Sequence, residues 1–197
     1  MLYLIFHGEP AVGQETALEP LSERGVQQSV DLACLMESLK IQVVYAAPHR
    51  RALDTIKHFV LKRRKQGDFC RVEVHYELTN GVFTPERKPV PMPLEWAHSY
   101  GLNRQSVYGI VPGPERQDAY QRRVLDWFTN EFWPKYESAP IPTAIVADGM
   151  TLAVILYYIM ANSPYAEAKQ IVQTMSPGAV LEFRGNGMRL EFSRRVN

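Results

Sequence analysis

The sequence predicts an α/β fold: a three-layer sandwich with a mostly parallel central sheet and helices on both faces. Three observations predict it. Apolar runs at Leu2–Phe6, Ile41–Ala46 and Pro142–Ala147 have the composition of strands buried on both sides. Helical patterns lie between these runs, and strands that alternate with helices build parallel sheets. Each run also ends at polar or turn-forming residues: His7-Gly8, Pro48-His49-Arg50-Arg51 and Asp148-Gly149. In parallel sheets, ligands sit beyond the carboxyl ends of the strands.

The elements follow in order. Leu2–Phe6 is the first strand; Met1–Phe6 lacks the basic start and small-residue cleavage site of a secretion signal. Pro10 to Pro20 is a loop. Ser22 is placed to cap a helix whose apolar positions are Val26, Val30, Leu32, Ala33, Leu35, Met36 and Leu39. Ile41–Ala46 is the second strand, and a helix runs from about His49 to Lys65. Its basic end, Lys62-Arg63-Arg64-Lys65, suits the carbonyl end of a helix. Val72 to Tyr76 alternates as a third strand does.

Residues 84–114 behave differently. Pro85, Pro89, Pro91, Pro93, Pro112 and Pro114 forbid a long helix or a central strand there, so an insertion or lid is expected. A helix returns from about Arg116 to Tyr136, with Tyr120, Val124, Trp127, Phe128 and Phe132 on one face. Pro142–Ala147 is the fourth strand, and Thr151 to Met160 is a strongly apolar helix. Ala179–Phe183 and Met188–Phe192 flank Asn186-Gly187, a hairpin signal.

The 197 residues are expected to form one domain over 1–197. The formal net charge of +1 gives no general attraction to nucleic acid. The longest apolar stretch, Leu152 to Ala161, is shorter than the roughly 20 residues that span a bilayer. A soluble cytoplasmic protein is therefore expected, with neither nucleic acid nor membrane as a partner. Cys34 and Cys70 sit in apolar segments and read as buried, reduced thiols. The strand ends make His7, Arg50, Arg51 and Asp148 candidates for one pocket. Glu9, Glu77, Asp148 and His7 have no metal-ligand spacing, so neither a metal nor a cofactor is expected.

Several motifs carry a family resemblance. Leu2 to Pro10 resembles the opening strand and Arg-His-Gly-Glu-Thr motif of the histidine phosphatase superfamily, the phosphoglycerate-mutase-like proteins. Leu21 to Gly25 is similar to its Leu-Thr-x-x-Gly helix start, and Val44 to Thr55 to its Ser-Pro-Leu-x-Arg-Ala-x-x-Thr segment. Ala144 to Leu152 resembles its second-histidine motif, Ser-His-Gly-x-Thr. These motifs occur in the family's order across nearly the whole chain.

The resemblance implies a phosphohistidine mechanism with His7 as nucleophile, the chemistry of a phosphoric monoester hydrolase. It implies Glu77 as the acid that protonates the leaving group. It implies Arg51, Gly8, Asp148, Gly149 and Thr151 as the substrate-binding positions, and a small phosphorylated or anionic ligand. The chemistry is reasonable: neutral imidazole is a nucleophile near neutral pH, and arginine grips phosphate with a planar fork.

Two departures stand out. Phe6 occupies the place of the family's first phosphate-binding arginine, and Asp148 that of its second histidine. Loss of one preorganised donor to a developing charge costs about 2.7–4 kcal/mol, so two losses that add cost roughly 10⁴-fold or more. An Asp148 paired with His7 would also raise the imidazole pKa and block attack. Impaired phosphohistidine chemistry with retained ligand binding is therefore expected. The alternatives are an active phosphomonoesterase using compensating cations (Arg50, His49, Arg104 or Arg116) and a non-catalytic interaction module.

Overall fold

The computed structural model describes residues 1–11, 19–79, 117–160, 164–185 and 190–196. A six-stranded sheet forms its centre, in the order β3-β2-β4-β1-β5-β6. The strands are β1 (Leu2–Phe6), β2 (Val43–Ala46), β3 (Arg71–Val74), β4 (Thr143–Ala147), β5 (Val180–Gly185) and β6 (Leu190–Val196). β1 pairs in parallel with β4, and β2 in parallel with β3 and β4. β5 runs antiparallel to β1, and β6 antiparallel to β5. The α/β architecture is thus as the sequence predicts.

The apolar runs explain the sheet. Successive strand residues face opposite sides, and every residue of β2 and β4 is buried, so both faces are covered. The covering helices are α1 (Glu23–Ser38), α2 (Arg50–Lys65), α3 (Gln117–Asp126), α4 (Trp133–Ser138), α5 (Gly149–Ile159) and α6 (Tyr165–Gln173). α1 packs on α2, while α5 packs on both α3 and α6.

The structure adjusts several expectations. The helix expected from Arg116 to Tyr136 is broken by a π-helical turn, Trp127–Phe132. Pro134, just beyond it, has no N–H to donate, and Trp133 N–H reaches back five residues to the Phe128 carbonyl. α6 was not expected from the sequence. Val26 and Val30, assigned to the apolar stripe of α1, are 45% and 38% exposed; Leu32, Ala33 and Met36 form the buried edge. The cysteines are free, yet Cys34 is exposed and Cys70 half-buried, which corrects the expectation of two buried thiols. The Pro-rich stretch 84–114, Arg104, Arg116 and the Asn186-Gly187 turn lie outside the described residues. Among the described residues, no helix is long and apolar enough to cross a membrane.

Candidate active site

The ends of the parallel strands deliver the predicted residues to one edge of the sheet. His7 follows β1, His49-Arg50-Arg51 follow β2, and Asp148 follows β4. A cavity of about 400 Å³ opens there, lined in part by Phe6, His7, Glu19, Arg51, Asp148 and Gly149, with α6 supplying Tyr165, Lys169, Val172 and Gln173.

Close backbone packing fixes the loop that carries His7. A Cβ on Gly25 would lie 2.1 Å from the Glu9 carbonyl oxygen, so only glycine lets α1 approach this strand end. Ser22 caps α1, its Oγ accepting from Gly25 N–H at 3.0 Å and donating to Glu9 Oε1 at 3.0 Å. Glu9 is further held by Arg24 at 3.4 Å, so its carboxylate serves this junction. The Gly8 amide donates to Thr55 Oγ1 at 2.8 Å. That donor is therefore already committed.

His7 is buried, and its Nδ1 lies 2.8 Å from the Gly8 carbonyl oxygen. A carbonyl only accepts, so Nδ1 carries the proton and Nε2 holds the lone pair. Among the described residues Nε2 has no hydrogen-bond partner. Burial pushes the His7 pKa down to about 4; the Gly8 hydrogen bond opposes this and the Arg51 charge adds to it. This corrects the expectation that Asp148 would charge the ring: desolvation wins and His7 is neutral. His49, at the N-terminus of α2, is also buried and lowered to about 3, by desolvation first and then by Arg51, His7 and Arg123. It does not line the cavity and supplies no cation there.

Asp148 has a definite structural task. It caps α5, Oδ1 accepting from Met150 N–H at 2.9 Å and Thr151 N–H at 3.1 Å. Its other oxygen lies 3.0 Å from Thr151 Oγ1. Burial raises the Asp148 pKa, while these hydrogen bonds and Arg51 pull the other way. Thr151 lies beneath the site, with its Oγ1 also 2.7 Å from Tyr120 Oη, and does not line the cavity. Gly149 does line it. A Cβ there would meet Val172 Cγ1 at 3.1 Å and Phe6 Cζ at 3.5 Å, so the Phe6 ring fills the space against the start of α5.

Arg51 projects into the cavity, where Glu19 meets it: Arg51 Nη1 and Glu19 Oε2 are 3.6 Å apart, with side chains only 13% and 7% exposed. Arg51 Nε is buried without a hydrogen-bond partner among the described residues. Arg50 turns instead to Asp54, 3.2 Å away on its own helix.

Glu77 lies beyond the end of β3. It sits on the short 3₁₀ turn Tyr76–Leu78 after β3, beside Leu78, whose carbonyl accepts from Thr151 Oγ1 at 3.3 Å. Its carboxylate lies 3.6 Å from His75 Nδ1. Hydrogen bonding to His75 leads in lowering its pKa, against burial, which favours the ionised form over a proton donor. It does not line the cavity.

Sequence reasoning missed Glu19 and the whole contribution of α6. A usable signal was present: Pro164 precedes Tyr165, Ala168 and Val172 at helical spacing. Lys169 lines the cavity and has no ion pair among the described residues. No group of three or more metal-ligating side chains occurs among the described residues.

The family model for the histidine phosphatase superfamily (branch 1) matches residues 2–195. The chain belongs to the histidine phosphatase superfamily. Members with solved structures share its fold. The α-ribazole phosphatase from Shigella flexneri superposes with a TM-score of 0.69 at 17% identity, covering 98% of this chain and 94% of that one. The ecdysone phosphate phosphatase from Bombix mori gives 0.69 at 14% identity, covering 98% and 91%. A mycobacterial glucosyl-3-phosphoglycerate phosphatase gives 0.63 at 15% identity, covering 97% and 95%. No protein of curated function matches the sequence. Phe6 and Asp148 are two of the places where this chain departs from the motifs that carry the resemblance, Pro10 in place of the threonine being another.

Proposed function

We propose that this histidine phosphatase superfamily member binds a phosphomonoester or similar small anion at Arg51, beside a neutral His7, and transfers phosphoryl groups poorly. The carrying observation is the state of Arg51. A largely buried guanidinium whose Nε has no partner among the described residues, with Glu19 3.6 Å away, is suited to a better anion. Poor transfer follows from the neighbours. Phe6 puts an aromatic ring where the family places a cation, and Asp148 is committed to capping α5. The transferring phosphoryl group therefore meets fewer positive donors.

Calorimetry with inorganic phosphate tests binding: wild type should bind and Arg51→Ala should not. Equal affinity in both would remove Arg51 from the site. Turnover of phosphomonoesters should be slow, and family-like turnover abolished by His7→Ala would overturn the impairment.

Two observations favour the second reading, an active phosphatase. The free lone pair of His7 Nε2 is suited to attack, and Lys169 offers a cation from a direction the family motifs do not describe. On that reading Lys169→Gln lowers turnover at least as strongly as it lowers affinity.

A further inference from the structure

Glu19 is a feature that a plain phosphate pocket does not need. Its side chain is almost fully buried, lines the same cavity as His7, and has Arg51 as its ionic partner among the described residues. The backbone just beyond it is fixed. The Ala11 N–H donates to the Pro20 carbonyl at 2.9 Å, and Pro10 bridges to Leu21. Glu19 is therefore anchored close by and poorly placed to swing into solvent.

A phosphate that takes the Arg51 guanidinium removes the carboxylate's partner and sets a second anion beside it. A buried charge stripped of its partner is strongly unfavourable. The penalty disappears when the ligand carries its own cation at Glu19. Because the two protein charges are only 3.6 Å apart, the ligand's two charges must also be close. Phe6, Met150 and Val172 give the cavity an apolar wall for a short carbon spacer.

We infer that the cleft selects a phosphomonoester bearing an ammonium group near its phosphate, the phosphorylated amino alcohols being the simplest class. Glu19 is then the residue that determines specificity. This rests on the phosphate-binding reading above, and the test separates the two.

The probes are O-phosphoethanolamine and ethyl phosphate, nearly equal in size and differing in the ammonium, titrated calorimetrically into the full chain. Wild type should favour phosphoethanolamine by about tenfold or more, the size of effect expected from one buried group left unpaired. Glu19→Gln should close that gap, mainly by improving ethyl phosphate. Equal affinities in wild type overturn the inference without any variant, and so does a gap that survives Glu19→Gln. If both probes bind equally and both are lost in Arg51→Ala, only the ammonium preference falls. If neither probe binds wild type, the phosphate-binding reading falls and takes this one with it.

Discussion

His7 and His75 occupy equivalent positions at the ends of two parallel strands of one sheet, and the protein treats them in opposite ways. His7 follows β1 at the sheet centre, is buried, and is driven to the neutral form by desolvation. His75 follows the edge strand β3, where Glu73 lies 3.2 Å from Nε2 and Glu77 3.6 Å from Nδ1. Burial works against charge at His75 as well, but the hydrogen bond to Glu73 and the nearby Glu77 carboxylate outweigh it and its pKa is raised. A strand end supplies a place and not a chemistry. The neighbours decide which form the imidazole takes.

The largest effect should come from restoring the missing positive groups around His7. Phe6→Arg combined with Asp148→His is expected to raise kcat/KM on p-nitrophenyl phosphate by on the order of 10³-fold or more. The same variant should lose about 1 kcal/mol of stability in chemical denaturation, because the α5 cap is weakened. No gain in turnover would show that charge depletion is not what separates this site from an active one.

Next in size is the pH dependence of stability. The folded-state pKa of His7 is depressed, so between about pH 6.5 and 4 the unfolded chain takes up a proton that the folded chain refuses. Stability falls across that window as pH is lowered, by on the order of 3 kcal/mol from His7 alone. His49 adds to the loss in the same direction, down to about pH 3. Denaturant melts across this range should show it, and His7→Gln should reduce it to the part that His49 contributes. His75 has the opposite sign: its contribution is fully present below its unfolded pKa and is lost as pH rises through its raised folded value.

A third experiment addresses the edge region. Arg123 donates to the carbonyls of Tyr76, Glu77 and Thr79 at 3.3, 2.7 and 3.2 Å, pinning the turn that holds Glu77 beside His75. Arg123→Ala should cost about 2 kcal/mol by urea unfolding and bring the His75 pKa down toward that of a free histidine, leaving the His7 titration in place. The smallest effect concerns Trp127, whose Nε1–H donates to His75 Nδ1 at 2.8 Å and so holds that lone pair in the neutral ring. Trp127→Phe should raise the His75 pKa further, read by ring-proton NMR. An unchanged midpoint would show that Glu77 does not compete for that nitrogen.

Much of the fold was legible because its signals are local. β1, β2 and β4 are continuous apolar runs, Ser22 and Asp148 sit where caps belong, and each expectation depends on a few adjacent residues. The ordered motifs also brought His7, Arg51, Asp148 and Gly149 to one cavity. Glu77 illustrates what local signals miss. The resemblance implies an acid there, while in the fold His75 favours its ionised form, and that partner's own state depends on Glu73 and Trp127.

The sequence by itself determined the order of the strands and of the helices other than α6, the family, and the substitutions at Phe6 and Asp148. Those depend on patterning and residue identity. Only the tertiary structure decided that His7 is neutral, that Glu19 meets Arg51, and that α6 closes the cleft with Lys169 and Val172. The reason is physical: desolvation and ion pairing act through space, between residues far apart along the chain, and their sign is set by burial that no short stretch of sequence reveals.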